Sequence, residues 1–206
     1  DILPVNDPRI ENITLFTADE DGTVTFSSSL NTLSTYVNGM ISDQLLDDGY
    51  GSEFGINAMA SDSSSLLNNR LLVTSEDGGS GLRGLNGQGL VTNSSAIQSS
   101  LIWDEVVYLA DSTFLVAGTY TVQLQSQSPA ASSAQIVLAR VHWDGDATAP
   151  EVLGQTIENG SEIHSISRTS GGGAIVATNE EIHIVSSDSI EMMKYPSTLM
   201  IYESEH

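Results

Sequence analysis

The chain has 206 residues, with 6 Lys+Arg against 27 Asp+Glu and a formal charge of −21. That charge repels phosphate backbones and anionic lipid surfaces, and the six cations (Arg9, Arg70, Arg83, Arg140, Arg168, Lys194) are too scattered to form a basic patch, so nucleic acid and membrane insertion are excluded as partners. The absence of Cys rules out disulfides, thiolate zinc, iron–sulfur clusters and cysteine nucleophiles, whereas a hydrophobic fraction of 39% in one or two small domains is ample for a packed core.

The acidity reflects a shortage of bases more than an excess of acids, since only 16% of residues are charged. Salty water and calcium-containing extracellular fluid both favour such a balance, and the expected location is extracellular or cell-surface. The chain opens at Asp1 without a basic-then-apolar leader and without an apolar run near the roughly 20 residues that span a bilayer, so it reads as a mature or excised piece. Asn12, Asn93 and Asn159 each begin an Asn-x-Ser/Thr sequon, a pattern that a sequence rich in Asn, Ser and Thr also produces by chance.

Residues 1–30 read as an arm punctuated by Pro4 and Pro8, then a hairpin in which residues 13–16 and 23–26 flank the Asp-Gly turn at 18–22. Residues 31–48 read as the one helix, packed on a sheet: Leu33, Tyr36, Val37, Met40, Ile41 and Leu45 recur at three-and-four spacing behind the caps Asn31 and Thr32. Residues 52–206 read as a β-repeat body of short apolar runs between Ser, Gly, Asn and Asp clusters. Its strands are expected at 71–74, 106–109, 114–117, 120–124, 135–141, 163–166, 174–178, 181–185 and 199–202, with the loosest loops at 76–89 and 126–133.

Three segments of that body align with one another, on Val73, Val116 and Val176, spaced by 43 and 60 residues. The sequence of strand, Asp/Gly turn, strand such as Phe114-Leu-Val-Ala-Gly-Thr119 and third strand such as Ile136-Val-Leu-Ala-Arg-Val-His-Trp143 resembles the blades of bacterial extracellular β-propellers over residues 56–202. Trp143-Asp144 is a Trp-Asp pair that follows the third strand of one copy. The resemblance implies an all-β fold of antiparallel blade-like sheets, with a β-sandwich as the alternative. Three or four blades fall short of the usual number for closure, so completion by another polypeptide, by the rest of a longer precursor or by self-association is expected. Residues 4–26 bear a fainter similarity to the junctions of cadherin-like adhesins.

Among candidate sites, calcium is the leading ligand because hard cations gather several oxygens from acidic turns. The clusters are Asp19 with Asp21, Asp47 with Asp48, and Asp144 with Asp146, the last favoured because a Gly separates its carboxylates. His142, His164, His183 and His206 lack metal-ligand spacing, although His164 and His183 fall in strands read as neighbours. No G-x-S-x-G elbow is present, and Gly84-Leu-Asn-Gly-Gln-Gly89 lacks the Lys and the βαβ setting of a phosphate loop. Asp104 and Glu105 beside Trp103 would suit glycoside chemistry, but strict strand alternation sends adjacent residues to opposite faces, and Trp103 and Trp143 read as core. The resulting expectation is a non-enzymatic adhesive, structural or assembly protein, calcium-stabilised and binding through loops and strand edges. A fibre subunit exchanging its Asp1–Pro8 arm, a glycan-binding module and a secreted hydrolase stand as alternatives.

Overall fold

A computed structural model describes residues 13, 15–18, 23–46, 53–62, 69–76, 79–86, 91–93, 101–123, 132–146, 148–159, 162–178, 181–186 and 193–196. Every regular element among them is a β-strand, arranged as four sheets of four antiparallel strands, each a simple up-and-down meander. Sheet I holds β1 (Leu15–Ala18), β2 (Val24–Ser29), β3 (Thr32–Val37) and β4 (Met40–Leu45). Sheet II holds β5 (Gly55–Ser61), β6 (Arg70–Glu76), β7 (Gly79–Leu85) and β8 (Val91–Asn93). Sheet III holds β9 (Leu101–Ala110), β10 (Thr113–Gln123), β11 (Ser132–His142) and β12 (Glu151–Asn159). Sheet IV holds β13 (Ile163–Arg168), β14 (Ala174–Thr178), β15 (Glu181–Val185) and β16 (Met193–Pro196).

The sheets stack in sequence order. The first strand of each lies beside the first strand of the next: β1 by β5, β5 by β9 and β9 by β13. Among the described residues no contact of similar extent returns from β13 to β1, so the stack is an open series and not a closed barrel. The internal alignment maps onto this arrangement, because Val73, Val116 and Val176 all lie in the second strand of their sheets, opposite Ala58, Val106 and Ile166 of the first.

Three apolar layers hold the stack together. Leu33, Leu46, Phe54, Ile56, Met59, Leu72, Leu85 and Val91 fill the space between sheets I and II. A larger layer between II and III includes Leu71, Val73, Leu82, Trp103, Phe114, Val116, Val137 and Trp143. Leu109, Leu115, Ala117, Ile136, Leu138, Ala174, Val176 and Val185 form the third, between III and IV. Sheets II and III are therefore covered on both faces, which explains why β6 and β10 read as unbroken apolar runs instead of alternating ones.

The helix expected over residues 31–48 is absent, and β3 and β4 occupy its place as a hairpin. Its turn is Asn38-Gly39, with φ of 50° and 86°. Two consecutive positive φ values are what a two-residue hairpin turn with the right-handed strand twist requires, and Asn-Gly supplies them. The three-and-four spacing of Leu33 and Tyr36 misled because the two residues are buried on opposite faces of β3. Asn31 does not cap a helix either. It sits in the turn between β2 and β3 with φ of 54°, and its side-chain oxygen accepts the Phe54 N–H at 2.7 Å, tying sheet I to sheet II.

The Gly-rich stretch at 76–89 is also not a loop throughout, since Gly79–Leu85 forms the buried strand β7. Gly84 lies flat under Trp143: a Cβ there would fall 2.5 Å from the indole ring. The segments expected at 1–12 and 199–202, most of the 126–133 loop and the terminal His206 lie outside the described residues.

Candidate functional site

The Asp144-Gly-Asp146 turn follows β11, where Trp143 is buried and donates its N–H to the Ser112 carbonyl at 2.8 Å. The Asn69 side-chain amide donates to the Asp144 carbonyl at 2.7 Å, and the Asp146 N–H donates to Asp144 Oδ1 at 2.9 Å. One Asp144 oxygen is thus engaged in forming the turn, while the other lies 3.9 Å from His142 Nε2. Asp144 and Asp146 are both exposed. Among the described residues no three His, Asp or Glu side chains converge as a metal site. Asp19, Asp21, Asp47 and Asp48 lie outside the described residues.

The histidines do not converge. His183 lies in β15 and His164 in β13, with β14 between them, so the expectation of neighbouring strands fails. His183 is 1% exposed and faces sheet III, opposite Val176; its Nε2 lies 3.7 Å from Glu181 Oε2. His164 is exposed at a register shift of β13.

Asp104 and Glu105 behave differently from the expectation of strict alternation. Glu105 pairs with Ala117 and Trp103 with Gly118, leaving Asp104 as the extra residue of a β-bulge. Ala117 belongs to the layer between sheets III and IV, so Glu105 lies on that face. Thr119, two residues on from Ala117, donates its hydroxyl to Asp104 Oδ2 at 3.1 Å, which brings Asp104 to the same face. Both carboxyls consequently emerge side by side, because the bulge removes the half-turn that alternation would impose. Gly118 makes room for it: a Cβ there would lie 2.4 Å from the Ile102 carbonyl oxygen.

Burial pushes the Asp104 carboxyl above the ordinary Asp value, against the smaller lowering effect of the Thr119 hydroxyl. Burial also raises Glu105, and the neighbouring Asp104 charge adds to it. Trp103 cannot serve as a sugar platform beside this pair, since it is fully buried against sheet II.

Sheet IV carries a further surface that the strand pattern alone did not reveal. Its inner face, with Ala174, Val176 and Val185, covers sheet III. Its outer face holds Ile175, 39% exposed and paired with Ile184, and Ala177 paired with Ile182. A signal is present in Glu181-Ile-His-Ile-Val185, where isoleucines flank a histidine. Alternation with the polar residue outward would bury the isoleucines, and the strand has the opposite sense.

Buried cations sharpen the charge. Arg70 and Arg83 are 6% and 2% exposed, and both belong to sheet II. The Arg83 guanidinium stacks 4.2 Å over the Phe54 ring, and Arg168 lies 4.9 Å over Tyr108. With two of the six bases withdrawn into the interior, fewer remain to neutralise the surface carboxylates.

No family model matches the chain, and no curated protein matches it. The similarity of residues 4–26 to cadherin-like junctions therefore gains no support. Among solved structures the chain is similar to one described as a streptogramin B lyase structure, at 10% identity and a TM-score of 0.32, covering 90% of this chain and 83% of that one.

Proposed function

We propose that the chain is an extracellular assembly module that self-associates by stacking the outer face of sheet IV against the same face of a second copy. The carrying observation is the apolar row Ile175, Ile182 and Ile184 on the end sheet of a series in which like sheets already cover one another. A second copy is the occupant because the faces of sheets II and III are each covered by a four-stranded sheet of the same kind. The charge of −21 per copy opposes association at low ionic strength, so calcium or salt supplies the counter-charge, with the exposed Asp144 and Asp146 among the carboxylates to be neutralised.

Light scattering with added calcium, with chelator and with high salt tests this reading. The expected result is a dimer in calcium or high salt that reverts to monomer when Ile175 is replaced by Asp. A wild-type protein that stays monomeric under every condition overturns it. A second reading, a secreted hydrolase, is favoured by the bulge pair alone: one carboxyl of raised proton affinity beside another has the make-up of an acid–base centre. Hydrolysis of a glycoside panel that is abolished in Asp104→Asn, with self-association intact, would shift the assignment to it.

A further inference from the structure

We infer that Asn38-Gly39 is a self-modification site at which the hairpin of β3 and β4 rearranges spontaneously and releases β4. Asn38 is exposed, and no hydrogen bond among the described residues holds its side-chain amide. Gly39 is exposed too, and apart from its chain neighbours nothing lies within 4 Å of where a Cβ would sit, so the turn is open around it.

The chemistry needs only water. The Gly39 backbone nitrogen attacks Asn38 Cγ and loses its proton, the bond from Cγ to the amide nitrogen Nδ2 breaks, and ammonia leaves with that proton. The five-membered succinimide that results is opened by water at either carbonyl. Attack at one carbonyl gives aspartate with the main chain restored. Attack at the other gives isoaspartate, in which the main chain runs through the side-chain carbon and is longer by one methylene.

Two features of the fold make this position consequential. Attack requires the turn to leave its paired geometry, and β4 offers little resistance to opening: it is the edge strand of sheet I, exposed at every position except the half-buried Ile41. Met40 and Leu45 are 72% and 74% exposed, so apolar burial anchors the strand only just past its far end, at Leu46, and the Ser34 hydroxyl donates to Asp43 Oδ1 at 2.7 Å. The product is also incompatible with the turn. A two-residue turn with φ of 50° and 86° has no place for an extra methylene, so isoaspartate breaks the Val37–Met40 register and the ladder beyond it. Either product adds a negative charge to a protein already at −21.

The test is incubation of the folded protein at mildly alkaline pH and body temperature, with peptide mass mapping over residues 30–46 and thermolysin digestion in parallel. The expected result is progressive amide-to-acid mass exchange at Asn38, isoaspartate as the major product, and new cleavage within Met40–Leu45 that rises in step with it. Asn38→Gly keeps a residue suited to positive φ and removes the amide, and is expected to show neither change. Two results overturn the inference: a folded protein that keeps Asn38 intact while the urea-unfolded protein reacts, and reaction in the folded protein without new cleavage in β4.

Discussion

Sheets III and IV have the same four-stranded plan and different environments. In β10, residues Thr113 through Gly118 are all buried, because Phe114 and Val116 face sheet II while Leu115 and Ala117 face sheet IV. In β14, Ala174 and Val176 are buried against sheet III, and Ile175 between them is 39% exposed. The residue types scarcely differ. An apolar side chain in this molecule is therefore stabilising only to the extent that a neighbouring sheet is present, and the outer isoleucines of sheet IV hold apolar area not yet removed from water.

The sharpest way to break that comparison is truncation at matched depth in the two sheets. Leu115→Ala empties a site that is fully buried between two sheets and is expected to lower unfolding stability in urea by about 2–5 kcal/mol. Ile175→Ala in the monomer should cost less than about 1 kcal/mol, since much of its side chain is already in water. Equal losses at the two positions would mean that the outer face of sheet IV is covered within a single copy. Next in size is Gly84→Ala, which sets a methyl 2.5 Å from the Trp143 ring and should cost about 1–3 kcal/mol through forced separation of sheets II and III. A quenched or shifted tryptophan emission in the folded variant would report that separation, and an unchanged spectrum with unchanged stability would contradict it. Gly39→Ala meets no neighbour but requires φ of 86°, so about 1–2 kcal/mol of local strain is expected in the β3–β4 hairpin. Hydrogen exchange should then speed up in β4 and leave β10 unchanged.

The same pair of sheets explains what could be read from the residues. Strands buried on two faces, such as Leu71-Leu-Val-Thr74 and Phe114-Leu-Val-Ala117, are continuous apolar runs that no helix of that length would explain, and they stood out. β7 did not, because its inward positions include glycines, and the value of Gly84 comes from Trp143, 59 residues further along, a contact of which local propensity carries no trace. The β3–β4 hairpin had a plain signal in Asn38-Gly39, but apolar residues at three-and-four spacing are produced equally by a strand whose two faces are both partly covered. The bulge at Asp104 was illegible for a related reason: it exists because β9 and β10 pair out of step around Gly118, and register belongs to the pair of strands, not to either sequence.

Proton binding at that bulge yields the smallest effect and discriminates most finely between the faces of sheet III. Folding raises the proton affinity of both Asp104 and Glu105, so the native state binds more protons than the unfolded protein between the ordinary carboxyl values, 3.8 and 4.5, and the raised native ones. Stability contributed by the pair is complete below the ordinary values and is lost as pH rises through the native ones. Asp104→Asn should accordingly stabilise the protein at neutral pH and have no stabilising effect below 3.8, where the native carboxyl is already neutral. Removing the Asp104 charge also removes one of the two causes that raise Glu105, so the Glu105 carboxyl, followed by NMR, should titrate at lower pH in the variant. A stabilisation that is the same at acidic and neutral pH would assign the effect to shape and not to charge. An unmoved Glu105 titration would show that the two carboxyls do not share a face, and would return β9 to simple alternation.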